Sequence, residues 1–251
     1  MPGIERGTPD SVPARHVGTH PIIPDAAPVL RDWPDAERPR ERLLSRGAAA
    51  LSNAELLAIL LRTGTRGQSA VSFAVRLLAD SGSLGALLST DPGQLLRRHG
   101  MGPARASTLA VILELARRVS LENLAEQPLL NDPGAVQDYL GLLLRGRNQE
   151  VFVAIFVNSQ HRLIQADELF RGTLNQTAVY PREVIKRALD LNAAALILAH
   201  NHPSGHPEPS AADRTLTRTL QNALGQLDIR VLDHIIVAGT RQYSFAQHGL
   251  L

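Results

Sequence analysis

Ala194-Ala195-Leu196-Ile197-Leu198-Ala199-His200-Asn201-His202-Pro203-Ser204-Gly205-His206-Pro207-Glu208-Pro209-Ser210-Ala211-Ala212-Asp213 is the stretch on which the reading of this 251-residue chain turns. Ala194–His202 is an apolar run ending in polar residues and reads as a strand. A Pro/Gly-rich loop follows, and Ser210 caps a helix expected to reach about Leu224. His200 and His202 stand two apart, so on a strand both side chains project to the same face. Two imidazoles on one face can share one cation. Asp213, three residues into the helix, supplies an oxygen as third ligand. Three such ligands leave a tetrahedral zinc one open position for water, the arrangement of a catalytic site. A plainer reading exists: Ser210-x-x-Asp213 also suits a helix N-terminus without any metal, and the histidines would then be ordinary polar residues at a strand end. Against it stand the otherwise apolar strand and a loop stiffened by Pro203, Pro207 and Pro209.

Working outward, Val151–Val157 is a continuous apolar run and reads as a buried strand. A second strand is expected over His161–Leu169, with a turn at Asn158–Ser159 between the two. Pro181–Leu191 reads as a helix, Ile229–Ala238 as a strand and Gln242–Phe245 as a short one. Strands interleaved with helices make this half α/β. Upstream the period is helical. Ser52 with Glu55 forms a capping box before Leu56, and Val71 to Leu78 reads as a second helix. Asp91-Pro92 opens a short helix through Leu96. Pro103 to about Val119 is a longer helix with Leu109, Ile112, Leu113 and Ala116 on one face. Ser120–Asn131 reads as the boundary, after which Asp132-Pro133 starts another helix. Residues 1–35 carry seven prolines without periodicity and read as a disordered tail. The expected organisation is a tail over 1–35, an all-α domain over 36–125 and an α/β domain over 130–251.

Composition narrows the chemistry. Apolar residues at 44% support real cores, and 20% charged residues are too few for a disordered chain. The absence of cysteine excludes disulfides, Cys-ligated zinc, iron–sulfur clusters and a thiol nucleophile. It also excludes the zinc deaminases, which need a Pro-Cys-x-x-Cys half. There is no HExxH motif, no P-loop Gly-Lys (Lys186 follows Ile185) and no Gly-x-Ser-x-Gly elbow. No apolar run approaches 18 residues and no signal peptide opens the chain, so a cytoplasmic protein without membrane contact is expected. The net charge is only +2, but residues 31–125 hold thirteen arginines against nine carboxylates. A polyanion would therefore meet the first half of the chain. His206 is read as solvated, and the adjacent Asp233 and His234 as structural, facing opposite sides of their strand.

His200, His202, Ser210 and Asp213 match the His-x-His-x7-Ser-x2-Asp pattern at every spacing, and in this the chain resembles the JAMM (MPN-type) zinc metallopeptidases. Together with Glu168-Leu169-Phe170-Arg171-Gly172-Thr173 and Leu232-Asp233-His234, the stretch resembles the RadC family over about residues 38–251. The resemblance implies a cytidine-deaminase-like α/β JAMM/MPN domain preceded by a small all-α helix–hairpin–helix domain. It implies His200, His202 and Asp213 as zinc ligands. It also implies Ser210 as a hydrogen-bond partner of the substrate oxyanion or of the water on the metal. The general base it implies is Glu150, just before the first central strand, with Glu168 as competitor. The chemistry wants a carboxylate that takes a proton from the attacking water and hands it to the leaving amine.

Leu95-Leu96-Arg97-Arg98-His99-Gly100-Met101-Gly102-Pro103-Ala104-Arg105-Ala106 resembles a helix–hairpin–helix. Gly100 and Gly102 would let two helices meet tightly and aim backbone N–H groups at a DNA phosphate, with Arg105 beside them. A purely structural αα-hairpin is the competing reading. The expectation is a zinc-dependent hydrolase acting on an amide or isopeptide bond of a peptide or protein, with DNA as a further partner through its helical half. A non-catalytic DNA-associated module with structural zinc and a metal-dependent phosphodiesterase are the alternatives.

Overall fold

Three hydrophobic cores organise the described residues: a first between the helices of the N-terminal half, a second on one face of the sheet that follows and a third on its other face. The structure, a computed structural model, describes residues 33–172 and 179–251. The expected tail, except at 33–35, and Thr173 of the quoted motif lie outside the described residues.

The first half is helical: α1 (Pro39–Arg46), α2 (Asn53–Leu61), α3 (Ala70–Ser81), α4 (Leu84–Leu88), α5 (Pro92–Leu96) and α6 (Pro103–Glu126). Local chemistry starts most of them. Ser52 and Glu55 form the expected capping box on α2, and Asp91 accepts from the Gly93 N–H at 2.8 Å to start α5. Leu57, Phe73, Leu77, Leu87, Leu95 and Leu109 close the core between these helices. Helices α1 and α4 carried no apolar periodicity to announce them. Pro39 is the only buried residue of α1, and α4 is a single turn anchored by Leu87.

Helix α6 is longer than the sequence suggests. It does not stop near Val119 but runs on to Glu126, through the stretch read as a linker. Ala106 and Leu109 pack in the first core, whereas Leu124 packs in the second with Leu129. Val111, Leu115 and Val119 are exposed on its outer side, as is Ala116 of the expected buried face.

The second half contains α7 (Pro133–Leu144), β1 (Val151–Val157), β2 (Leu163–Arg171), α8 (Pro181–Asp190), β3 (Ala195–Asn201), α9 (Ala211–Gly225), β4 (Arg230–Ala238) and β5 (Arg241–Ser244). The strands form one mixed sheet in the order β2-β1-β3-β4-β5, in which only β3 and β4 run parallel. Side-chain alternation sorts the two faces. Val153, Ile155, Ile197 and Ala199 pack with Leu140 and Leu144 of α7, while Phe152, Phe156, Leu196 and Leu198 pack with Val184 of α8 and Leu220 of α9. Helices on both faces explain why β1 and β3 read as unbroken apolar runs. His200 shares parity with Leu196 and Leu198, so it faces the side from which α9 approaches. Among the described residues no helix is long and apolar enough to cross a membrane.

Candidate metal centre

His200 ends β3, and His202 lies one residue beyond the strand, held there by its backbone N–H donating to Val237 O at 2.9 Å. Pro207 and Pro209 bury themselves in the loop that follows, and Arg241 Nη2 donates to Gly205 O at 2.7 Å. The chain then re-enters at α9, bringing Asp213 onto the histidines. His200 Nε2 is 3.2 Å from Asp213 Oδ1, His202 Nε2 is 3.4 Å from Asp213 Oδ2, and the two Nε2 atoms are 2.9 Å apart. Potential ligand atoms of the three residues all lie within 4.8 Å of one another.

Ser210-x-x-Asp213 forms the helix N-terminus that the sequence suggests. Ser210 caps α9 with its Oγ accepting from the Asp213 N–H at 3.1 Å, and the Asp213 carboxylate accepts from the Ser210 N–H at 2.7 Å. The same carboxylate faces the imidazoles. Ser210 Oγ donates to Asp213 Oδ2 at 2.6 Å, so its hydroxyl bears on the carboxylate of the cluster.

The donor set fits a cation. His202 Nδ1 lies 2.7 Å from His206 O, and a carbonyl can only accept, so Nδ1 carries the proton. In the neutral ring Nε2 is then a lone pair pointed at other acceptors. Hydrogen bonding to Asp213 raises the His202 pKa, against the opposing effect of burial. Burial would raise the Asp213 carboxyl, but the facing imidazoles of His200 and His202 outweigh it and hold the group well below the usual carboxylate range. A positive charge belongs between these groups, as proton or as metal. Two imidazoles and a carboxylate are a donor set suited to zinc.

The surroundings add residues that the motif does not contain. His234, on β4, is fully buried, with its Nε2 2.8 Å from His200 Nδ1 and its Nδ1 2.7 Å from Thr217 Oγ1 on α9. Burial, and then the neighbouring His200 charge, push its pKa well below the ordinary histidine value. Asp233 turns the other way and accepts from Ser244 Oγ and the Ala246 N–H, a structural role. His206 is exposed and contributes its backbone carbonyl to the centre. Asn201, between the two histidines, is buried. Its Oδ1 accepts from the Val151 N–H at 2.8 Å and its Nδ2 donates to Gln149 O at 3.0 Å and Arg147 O at 3.2 Å. The segment carrying Glu150 is thus tied to the strand carrying His200. A polar residue kept inside an apolar strand was the sequence signal for His234 and Asn201. Their partners were invisible without the strand order.

Strand register separates the two candidate glutamates. Phe152 of β1 pairs with His200 of β3, and continuing that register by two residues sets Glu150 across from His202. The Glu150 charge contributes to the raised His202 pKa. Glu168 pairs with Val153, whose side chain belongs to the opposite face. There it meets Arg171 and, at 3.8 Å, Arg147 Nη2.

In the helical half, Gly100 has φ +82°, and a Cβ there would come within 2.4 Å of Thr65 Cγ2 and 3.0 Å of Phe73. Only glycine fits. Gly102 caps α6 with ordinary φ. Arg105 is turned inward, against the expectation of a side chain facing a phosphate. Its Nη2 donates to Thr63 O at 2.7 Å, Thr63 Oγ1 at 2.8 Å and Gly64 O at 2.7 Å, and its Nη1 donates to Gly100 O. The guanidinium also stacks 4.9 Å above the Phe73 ring. Arg98 donates to Ser81 Oγ at 2.6 Å.

A mixed sheet presenting a His-His-Asp cluster at the junction of β3 and α9 defines a JAMM/MPN-related metalloprotease fold. Residues 130–250 match the family model described as RadC-like JAB domain, and residues 30–107 match that described as UPF0758 N-terminal. The chain belongs to the UPF0758 family. It is 55% identical over 222 residues to a UPF0758 protein of Leptothrix cholodnii, covering 88% of this chain and all of that relative. A UPF0758 protein of Polaromonas sp. is 54% identical over 223 residues, 89% of this chain and 100% of its own length. One from Nitrosomonas europaea is 51% identical over 222 residues, 88% and 99% of the two chains.

Proposed function

We propose that the chain is a zinc-dependent hydrolase that cleaves an amide or isopeptide bond in a peptide or protein. The observation that carries this reading is the convergence of His200 Nε2, His202 Nε2 and the Asp213 carboxylate on one point, with His202 Nδ1 committed to a carbonyl. A zinc ion held by these three residues would supply Lewis acidity and acidify a water molecule.

The chain's own groups divide the remaining work. Glu150, placed by register on the same face as His202, would accept the proton of the attacking water and deliver it to the departing nitrogen. Ser210 Oγ would exchange its bond to Asp213 for one to the oxyanion that develops on the substrate carbonyl. Glu168 is engaged with arginines on the far face and serves the sheet.

The test is metal content with turnover. Wild-type protein should hold one zinc per chain and hydrolyse members of a peptide and isopeptide library. His202→Ala should lose the zinc. Glu150→Gln should keep it and lose about 10²–10⁴-fold in rate, the range for general-base losses. Stoichiometric zinc retained without both histidines, or full turnover in Glu150→Gln, would overturn the assignment.

A further inference from the structure

The hydrogen bonds behind His200 have a direction that can be read from one end. Thr217 Oγ1 lies 2.6 Å from the backbone carbonyl of Asp213, one turn earlier in α9. That carbonyl has no proton to give, so the single hydroxyl hydrogen of Thr217 points to it. Toward His234 Nδ1, 2.7 Å away, Thr217 therefore offers a lone pair, and Nδ1 must carry the proton. The His234 ring is 0% exposed, with a threonine and a histidine as its hydrogen-bond partners. An imidazolium enclosed in this way would be costly, so the ring is neutral and Nε2 is bare. His200 Nδ1, 2.8 Å from that bare nitrogen, must in turn be the donor. What remains on His200 is the Nε2 lone pair, facing Asp213 and His202.

We propose that Thr217 and His234 are positioning residues which lock His200 as its Nδ1–H tautomer and thereby set the affinity of the centre for zinc. The relay begins at the carbonyl of Asp213, so one residue supplies both a ligand carboxylate and the acceptor that orients another ligand. Phe152 and Phe245 stack on the two rings, with centroids 6.4 Å from His200 and 4.8 Å from His234, and keep water from competing for the inner nitrogens. Outer partners that fix a ligating imidazole typically account for 10–100-fold in metal affinity. The affinity argument rests on the metal reading above, whereas the tautomer follows from the hydrogen bonds alone.

Thr217 meets Asp213 through its backbone carbonyl and reaches His200 through His234, which makes Thr217→Val, nearly isosteric, the informative variant, with Thr217→Ser as its conservative partner. Full-length proteins labelled with ¹⁵N-histidine would be stripped of metal. Long-range ¹H–¹⁵N spectra would report the His200 tautomer, and titration against a chromophoric chelator would report zinc affinity. Wild type should show His200 as Nδ1–H. Thr217→Val should mix the tautomers and weaken zinc binding 10–100-fold, and Thr217→Ser should restore both. His234→Phe should repeat the loss at the next link. Unchanged tautomer and affinity in a folded Thr217→Val protein would overturn the relay, as would wild-type His200 in the Nε2–H form. Should wild type take up no zinc while His200 is still Nδ1–H, the metal reading falls and the relay stands.

Discussion

At the scale of the residue, the same groups should respond to pH in opposite ways with and without metal. The His202 pKa is raised through its hydrogen bond to Asp213, so its protonated form is worth most to the folded, metal-free protein. That contribution is complete below the ordinary histidine value of 6.5 and is lost as pH rises through the raised one. Metal-free wild type should therefore lose melting temperature relative to His202→Ala as pH climbs through neutrality. Zinc-loaded protein should gain over the same interval, because the metal needs the deprotonated ring. Asp213, held low, supplies stability present above its ordinary 3.8 and surrendered only in strong acid. Asn201 carries a second prediction. Asn201→Ala releases the Arg147–Val151 segment and with it Glu150, so turnover should fall tenfold or more, about 1.4 kcal/mol of barrier, while zinc content holds. The His200-His202-Asp213 cluster was legible in the sequence because its spacing is local. His234, Thr217 and Asn201 were not, because their partners lie 17 to 54 positions away in the chain.

At the scale of the element, the hairpin between α5 and α6 is built by close approach. Gly100 makes room for Thr65 and Phe73, and Arg105 gathers the carbonyls of Thr63, Gly64 and Gly100. Hydrogen bonds to a charged group are worth about 1.5–3 kcal/mol each where they are not solvated, and these are partly exposed. Arg105→Met should thus lower stability by about 2–3 kcal/mol, measured by denaturant melts of the full chain. A change in salt-dependent DNA affinity without loss of stability would instead return the side chain to the phosphate role. Gly-x-Gly before a helix made the turn legible. The inward aim of Arg105 was hidden because its acceptors belong to the loop after α2, some forty residues earlier. The strands read well for the converse reason. β1 and β3 are apolar on both faces, a pattern that burial between two helical layers alone demands.

At the scale of the whole molecule, the alternation of strand and helix gave the α/β half plainly, whereas the last two turns of α6 were missed. Ser120–Glu126 looks like a linker because its face toward water is polar, and only Leu124 among its apolar residues is fully buried. Cutting at the boundary the sequence suggests should therefore cost stability. A fragment of residues 130–251 strips Leu124 and Leu129 from the second core, and one of 103–251 keeps both. Burying a leucine contributes about 1.5–3 kcal/mol, so the shorter fragment should melt lower. Equal melting temperatures would mean that α6 merely lies against the second half. The 24 residues of α6 rise about 1.5 Å each, some 36 Å from end to end. With one end in the first core and the other in the second, the helix is a strut. Sealed at both ends, it holds the helical half and the sheet at a set span, as a jig does.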